Sequence, residues 1–297
     1  MTAVTTGFAP FREYRTWYRV TGDLGSGVPL VALHGGPGCV HNYLLSLTDL
    51  AGENRAVVHY DQLGNGESTH LPDADPSFWT PELFVEELDN LLEHLGIAGS
   101  YDLLGQSWGG MLAAEHAVRR PSGLRRLVIA NSPASMDLWC RAADQLRAQL
   151  PAEVLETLER HEAAGDFDHP DYQAATQVFY DRHMCRVVPN PPDVARALEL
   201  MDANPAVYRA MNGPTEFHVI GSLREWNIVD RLHLVSVPTL VINGRHDEAT
   251  DDCVRPYAER IPDARRKRFE NSSHLPHVEE RQSYMDVVGE FLTAEPI

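Results

Sequence analysis

Cysteine, positive charge and long apolar runs are what this chain of 297 residues has least of. Its four cysteines, Cys39, Cys140, Cys185 and Cys253, are scattered, with no Cys-x-x-Cys pair. That spacing excludes a disulfide framework and a cysteine metal site, and leaves buried thiols in a reducing compartment as the expectation. Lys and Arg number 25 against 43 Asp and Glu, a net charge of −18. Such a field favours solubility and repels nucleic acid and anionic membrane, so neither is expected as a partner. Residues 1–20 show no basic stretch followed by an apolar one, so no signal peptide is expected. Nor does any apolar run approach the ~20 residues that a membrane span needs. A cytoplasmic protein is the expectation. The Gly-rich loop at 34–38 has neither Gly-x-Gly-x-x-Gly nor Walker spacing, which argues against phosphate cradling. Neither a metal nor an organic cofactor is implied.

What is present is an alternation of strand and helix patterns. Residues 8–20 alternate and carry aromatics, which suits an edge hairpin. Pro29–Leu33 is a continuous apolar run, as in a strand buried on both faces. A helix is expected over 41–51, a strand over 55–60, and a helix opened by Thr80-Pro81 and closed by Gly96. Strand patterns recur at 101–104, 124–130, 238–243 and 265–269, with a final helix over 278–292. From about Met136 to Asp230 only helical patterns occur, rich in aromatic and Met residues. The reading is an α/β chain with a mostly parallel sheet flanked by helices, residues 1–134 and 236–297. Residues 135–235 form an inserted all-helical cap over the strands' carboxyl ends, where ligands bind in such folds.

Gly105-Gln106-Ser107-Trp108-Gly109 lies between a short apolar run and a small-residue helical run. In that context Gly-x-Ser-x-Gly marks a strained turn that exposes a serine nucleophile. A hydroxyl needs a base, and His274 follows the last strand pattern; Asp247 follows the one before it and can fix the imidazole. His246 and His277 are rival bases, with His277 expected at the surface or at a helix start. His34-Gly35-Gly36-Pro37-Gly38 follows a buried strand and has almost no side chains. The N–H groups of Gly36 and Trp108 are the expected oxyanion donors. Trp139 and Trp226 are candidate pocket walls.

Taken together, His34–Gly38, Asp61-Gln-Leu-Gly-Asn-Gly66, Gly105-Gln-Ser-Trp-Gly-Gly110, Gly244-Arg-His-Asp-Glu248 and Ser273-His274 resemble the proline iminopeptidase family of α/β-hydrolases. The likeness spans essentially the whole chain and, within the family, leans toward bacterial L-proline amide hydrolases (L-amino acid amidases). The tricorn-interacting aminopeptidase is more distant. Many family members carry Arg after Asp-Gln where this chain has Leu63, a departure that favours the amidase branch. The resemblance also implies that two glutamates hold the substrate's free α-amino group, and the matching positions are Glu216 and Glu248. A desolvated ammonium needs carboxylate partners, and anchoring it places the scissile carbonyl over Ser107.

The resulting expectation is a serine hydrolase that cleaves the amide after a free N-terminal proline or other small residue. Its substrate would be a small-molecule amino acid amide or a short peptide. The alternatives are removal of an aminoacyl group from a natural-product intermediate, an esterase without the amine anchor, and a non-catalytic binding protein on the same fold.

Overall fold

The computed structural model describes residues 2–294. An antiparallel hairpin, β1 (Val4–Phe11) and β2 (Tyr14–Thr21), forms one edge of the sheet. It begins earlier than the aromatic pattern at 8–20 suggests, because residues 4–7, which carry no aromatic, still pair with 18–21. The remaining strands are β3 (Leu30–Leu33), β4 (Val57–Tyr60), β5 (Tyr101–Gln106), β6 (Leu124–Ala130), β7 (Thr239–Gly244) and, at the opposite edge, β8 (Ala264–Phe269). The eight strands lie in the order β1-β2-β4-β3-β5-β6-β7-β8, parallel from β4 onward.

Continuous apolar strands work here because both faces are covered. Val31, Leu33, Val58, Leu103, Leu127, Ile129 and Val241 point to one core. Helices α1 (Pro81–His94), α2 (Trp108–Ala117) and α8 (Asp251–Arg260) close it. The intervening residues Leu30, Ala32, Val57, Leu104, Val128 and Ile242 point to the opposite core. That second face is covered by the 3₁₀ stretch His41–Leu50 and by α10 (Arg281–Thr293). Each of the fully buried Val, Leu and Ile side chains contributes roughly 1.5–3 kcal/mol relative to exposure. Helix α1 starts as its sequence dictates: Thr80 Oγ1 accepts the Leu83 N–H at 3.2 Å, and Gly96 leaves the helix at φ +69.

Two expected helices differ in detail. The stretch at 41–50 is 3₁₀ rather than α. The last helix is broken at Glu280, separating α9 (Pro276–Glu279) from α10. The break has a cause: Glu280 accepts the Asn271 N–H at 3.0 Å and the Ser272 hydroxyl at 2.6 Å. Glu279 meanwhile accepts the Ser273 hydroxyl at 2.5 Å. Both carboxylates reach back to brace the loop that carries His274.

Between β6 and β7 the chain leaves the sheet for a helical insert. It comprises α3 (Met136–Arg147), α4 (Ala152–Ala164), α5 (Pro170–His183), α6 (Pro192–Ala203), α7 (Ala206–Met211) and 3₁₀ turns at Ser222–Glu225 and Val229–Leu234. Its aromatics Tyr172, Phe179 and Phe217 build a small core of their own with Leu150 and Leu158. The order of strands reverses at β3, whose neighbours are β4 and β5. The crevice beyond the carboxyl ends of β3 and β5 is therefore the topological switch point where ligands bind in open α/β sheets.

Candidate active site

Ser107 occupies the turn between β5 and α2 at φ 57, ψ −125, a conformation that ordinary residues adopt only under constraint. The constraint is close packing. A Cβ on Gly105 would lie 2.0 Å from the Gly109 carbonyl oxygen, and one on Gly109 would lie 2.1 Å from that of Leu33. Gly110 lets α2 approach Ser132, whose Cβ lies 2.6 Å from the position of an added Cβ.

The ends of β7 and β8 bring Asp247 and His274 together, with His274 Nδ1 at 2.7 Å from Asp247 Oδ1. Asp247 Oδ1 also accepts the Ala249 N–H at 2.8 Å, and its Oδ2 accepts Asn131 Nδ2 at 2.6 Å. Asn131, at φ 52 just past β6, was not among the sequence candidates. The available signal was an amide residue directly after a buried strand. Burial disfavours a charged His274, but Asp247, Glu248 and Glu216 outweigh it and raise its pKa to about 9. An imidazole so held can take a proton from a nearby hydroxyl and return it to a leaving group.

Ser107 and His274 line one cavity, together with Gly36, Glu216 and Glu248. The apolar side of that cavity comes from Met184, Val194, Leu198 and Met201. Ser107, Gly36 and Glu216 also border a smaller space against Trp108 and Trp139. Trp108 heads α2, so its N–H has no partner within the helix.

Glu248 is 2% exposed, and neither of its carboxylate oxygens has a hydrogen-bond partner among the described residues. Its Oε1 lies 3.8 Å from His274 Nε2. Burial, partly offset by His274, raises its pKa well above the usual range. Glu216 accepts the Tyr208 hydroxyl at 2.9 Å, and its pKa is also raised by burial against the same partial relief from His274. The two carboxylates thus line the same cavity as the His274 imidazole, the cationic group nearest Glu248 among the described residues.

Other expected residues are placed differently. Trp139 stands edge-on to His274, ring centroids 5.9 Å apart, and donates its indole N–H to the Glu216 carbonyl at 2.6 Å. Trp226 lines neither cavity; its indole donates to Glu115 Oε1 at 2.9 Å beside Arg231. It sits before a 3₁₀ turn that packs on α2, so Trp226 is a brace rather than a wall. His277 does begin a helix but is 1% exposed rather than at the surface. Its Nε2 meets the Tyr43 carbonyl at 3.1 Å, because α9 packs directly on the 41–50 stretch. His246 is half-buried and its carbonyl receives His183 Nδ1 at 2.9 Å, linking α5 to the Asp247 loop. Leu63 is fully buried in the core and lines neither cavity.

Among the described residues, His161, His169 and Asp171 form a group with ligand atoms within 4.8 Å of one another. It lies at the joint of α4 and α5, outside both cavities, and His169 Nδ1 is already engaged by the Asp171 N–H at 3.1 Å. No helix among the described residues is long and apolar enough to cross a membrane.

The family model described as the alpha/beta hydrolase fold matches residues 28–281. The proline iminopeptidase of Lactobacillus helveticus (strain DPC 4571) is 34% identical over 291 residues, covering 97% of this chain and 98% of that protein. The crystal structure of VinJ is 55% identical with a TM-score of 0.96, over 97% of this chain and 98% of VinJ. That of the proline iminopeptidase of Mycobacterium smegmatis is 52% identical with a TM-score of 0.90, over 97% of both chains.

Proposed function

We propose residue roles and a specificity for a chain that belongs to the proline iminopeptidase family of α/β-hydrolases. It is a proline iminopeptidase-type serine hydrolase that removes N-terminal proline. In our reading Ser107 Oγ attacks the scissile carbonyl while His274 Nε2 takes its proton. Asp247 keeps the imidazole in the required tautomer and stabilises the imidazolium. The N–H groups of Gly36 and Trp108 receive the oxygen as it becomes anionic; losing one such donor costs about 3–4 kcal/mol. His274 then protonates the departing amine, and water repeats the sequence on the acyl-enzyme.

The single observation that carries the specificity is the Glu248 carboxyl group, buried and without a hydrogen-bond partner among the described residues, in one cavity with Glu216 and Ser107. A cation that arrives with the ligand stabilises the ionised form of such a buried carboxyl group. A substrate's α-ammonium fits, and its carbonyl, one carbon away, then falls near Ser107. An N-acylated substrate would bring no cation to Glu248 and would leave its buried carboxyl group unpaired, which disfavours endopeptidase action. The helical insert, residues 135–235, acts as a cap that encloses this amine.

The finer amidase reading predicts that amino acid amides turn over along with short peptides. Leu63 gives that reading no contact-level support, since its side chain is in the core rather than the cavity. A second reading, removal of an aminoacyl group from a bulkier intermediate, is favoured by one observation. Leu198 and Met201 border both the catalytic cavity and a larger cleft between α5, α6 and α7. A long leaving group has room there. All four cysteines are free thiols, which suits a cytoplasmic location.

The test is a panel of prolinamide, prolyl peptides, N-acetylprolinamide and p-nitrophenyl esters, run on wild type and Ser107→Ala. Turnover of free-amine substrates, rejection of N-acetylprolinamide and loss of all turnover in Ser107→Ala are expected. Equal turnover of the free and acetylated amides would refute the amine anchor.

A further inference from the structure

The polar groups behind the loop at 34–38 form a network that the catalytic roles above leave unused. We infer that the His34 side chain is the positioning residue that aims the Gly36 N–H at the oxyanion, and that Gln62 holds His34 in place. The inference rests on the assignment of Gly36 and Trp108 as oxyanion donors.

A trans peptide is planar, so the Gly35 carbonyl and the Gly36 N–H point in opposite directions. Whatever grips the carbonyl therefore sets the direction of the N–H. The Gly35 carbonyl oxygen contacts His34 Nδ1 at 3.0 Å and accepts the Cys39 N–H at 3.3 Å. Which ring nitrogen of His34 carries the proton follows from its other contact. Gln62 N–H points at His34 Nε2 at 3.0 Å, which requires Nε2 to be the acceptor. The proton is then on Nδ1, and His34 donates to the Gly35 carbonyl. Complete burial, only partly offset by Asp61, lowers the His34 pKa to about 4, so the ring stays neutral at ordinary working pH.

Gln62 does more through its side chain. Its Nε2 donates to the His34 carbonyl at 2.9 Å, and its Oε1 accepts the Trp108 indole N–H at 2.8 Å. One buried amide therefore ties together the two segments that supply the two oxyanion donors. The neighbouring peptide is held as well: Gly35 N–H donates to the Tyr43 hydroxyl at 2.7 Å, and that hydroxyl donates to Gln106 Oε1 at 2.5 Å. There is little slack, because an added Cβ on Gly35 would lie only 2.9 Å from Ser107 Cβ. Asp61 holds the far end of the Gln62 turn by accepting the His41 and Glu67 N–H groups at 2.9 and 3.0 Å. The Asp-Gln pair thus acts on the reaction through the backbone rather than by touching substrate.

An oxyanion donor matters in the transition state and little in the ground state, which gives the inference its own kinetic signature. The experiment uses the full chain with His34→Leu, Gln62→Met and His34→Asn, the last retaining an N–H near the Nδ1 position. Prolinamide kinetics are read beside inhibition by prolinal, whose adduct with Ser107 places an oxyanion in the hole, and by proline, which makes no such adduct. We expect kcat to fall about 30- to 100-fold in His34→Leu and Gln62→Met with KM within about threefold. Prolinal affinity should fall in step with kcat while proline affinity holds, and His34→Asn should recover a measurable part of the loss. The inference is overturned if folded His34→Leu retains kcat, or if prolinal and proline affinities drop together. Should His34→Leu fail to fold, unchanged kcat and prolinal affinity in Gln62→Met overturn it equally. Loss of turnover in Ser107→Ala beside full activity in His34→Leu would overturn this role alone and leave the hydrolase reading standing.

Discussion

Asp247 and Glu248 are adjacent in the chain and equally buried, each 2% exposed, yet their surroundings are opposite. Asp247 is served by His274, Asn131 and two backbone N–H groups, from Ala249 and Gly244. Glu248 has no hydrogen-bond partner among the described residues, and His274 Nε2 stands 3.8 Å from its Oε1. Since burying a carboxylate without partners is costly, the two cannot both be structural. The first is built to work on a fixed imidazole. The second, with Glu216, is the group we propose is completed by a positive charge that arrives with the substrate.

Breaking the served side should have the largest effect. Asp247→Asn keeps the shape but turns the His274 contact to the wrong tautomer, so kcat on prolinamide should fall by about 10⁴ with little change in KM. Retention of more than a tenth of wild-type kcat would argue that His274 is not the base. Removing the brace, Asn131→Ala, leaves Asp247 three of its four partners, and a loss of kcat of about tenfold is expected. At the small end, Trp226→Phe removes one of the partners of Glu115 but leaves Arg231. It should lower stability by about 1 kcal/mol in a denaturant titration and leave kcat/KM unchanged within twofold. A tenfold kinetic effect there would reinstate Trp226 as a pocket wall.

The comparison also sets a pH dependence. In the free enzyme the carboxylates around His274 outweigh its burial and raise its pKa to about 9. The base form is neutral, so kcat/KM should climb with pH up to that region. A bound ammonium offsets the carboxylates, which lowers the His274 pKa in the complex. The rising limb of kcat should therefore lie at lower pH than that of kcat/KM. Coincident limbs would mean that no cation sits beside Glu248 during turnover.

Much of this was legible in the residues because the fold forces it. A parallel sheet needs continuous apolar strands, and the loops at their carboxyl ends announce themselves by glycine and by titratable residues. Ser107, Asp247 and His274 could be placed on strand ends for that reason. What escaped the sequence was the supporting polar shell. Asn131, Gln62 and Tyr43 act through contacts between segments far apart in the chain, such as Gln62 with Trp108, and no local period marks them. His277 misled because proline before it signals a helix start, which is true, while burial of that start depends on packing against 41–50. The same limit applies to Trp226, an aromatic in a helical region whose facing partner only the fold reveals.

The central claim is that Glu248 waits for the substrate's amine, and Glu248→Gln tests it most directly. The measurement is kcat/KM for prolinamide and for p-nitrophenyl acetate, an ester without an amine, on wild type and variant. The account predicts a loss of about 100- to 1000-fold on prolinamide and a change within about threefold on the ester. Equal kcat/KM values for prolinamide in the two proteins, or parallel losses on both substrates, would contradict it.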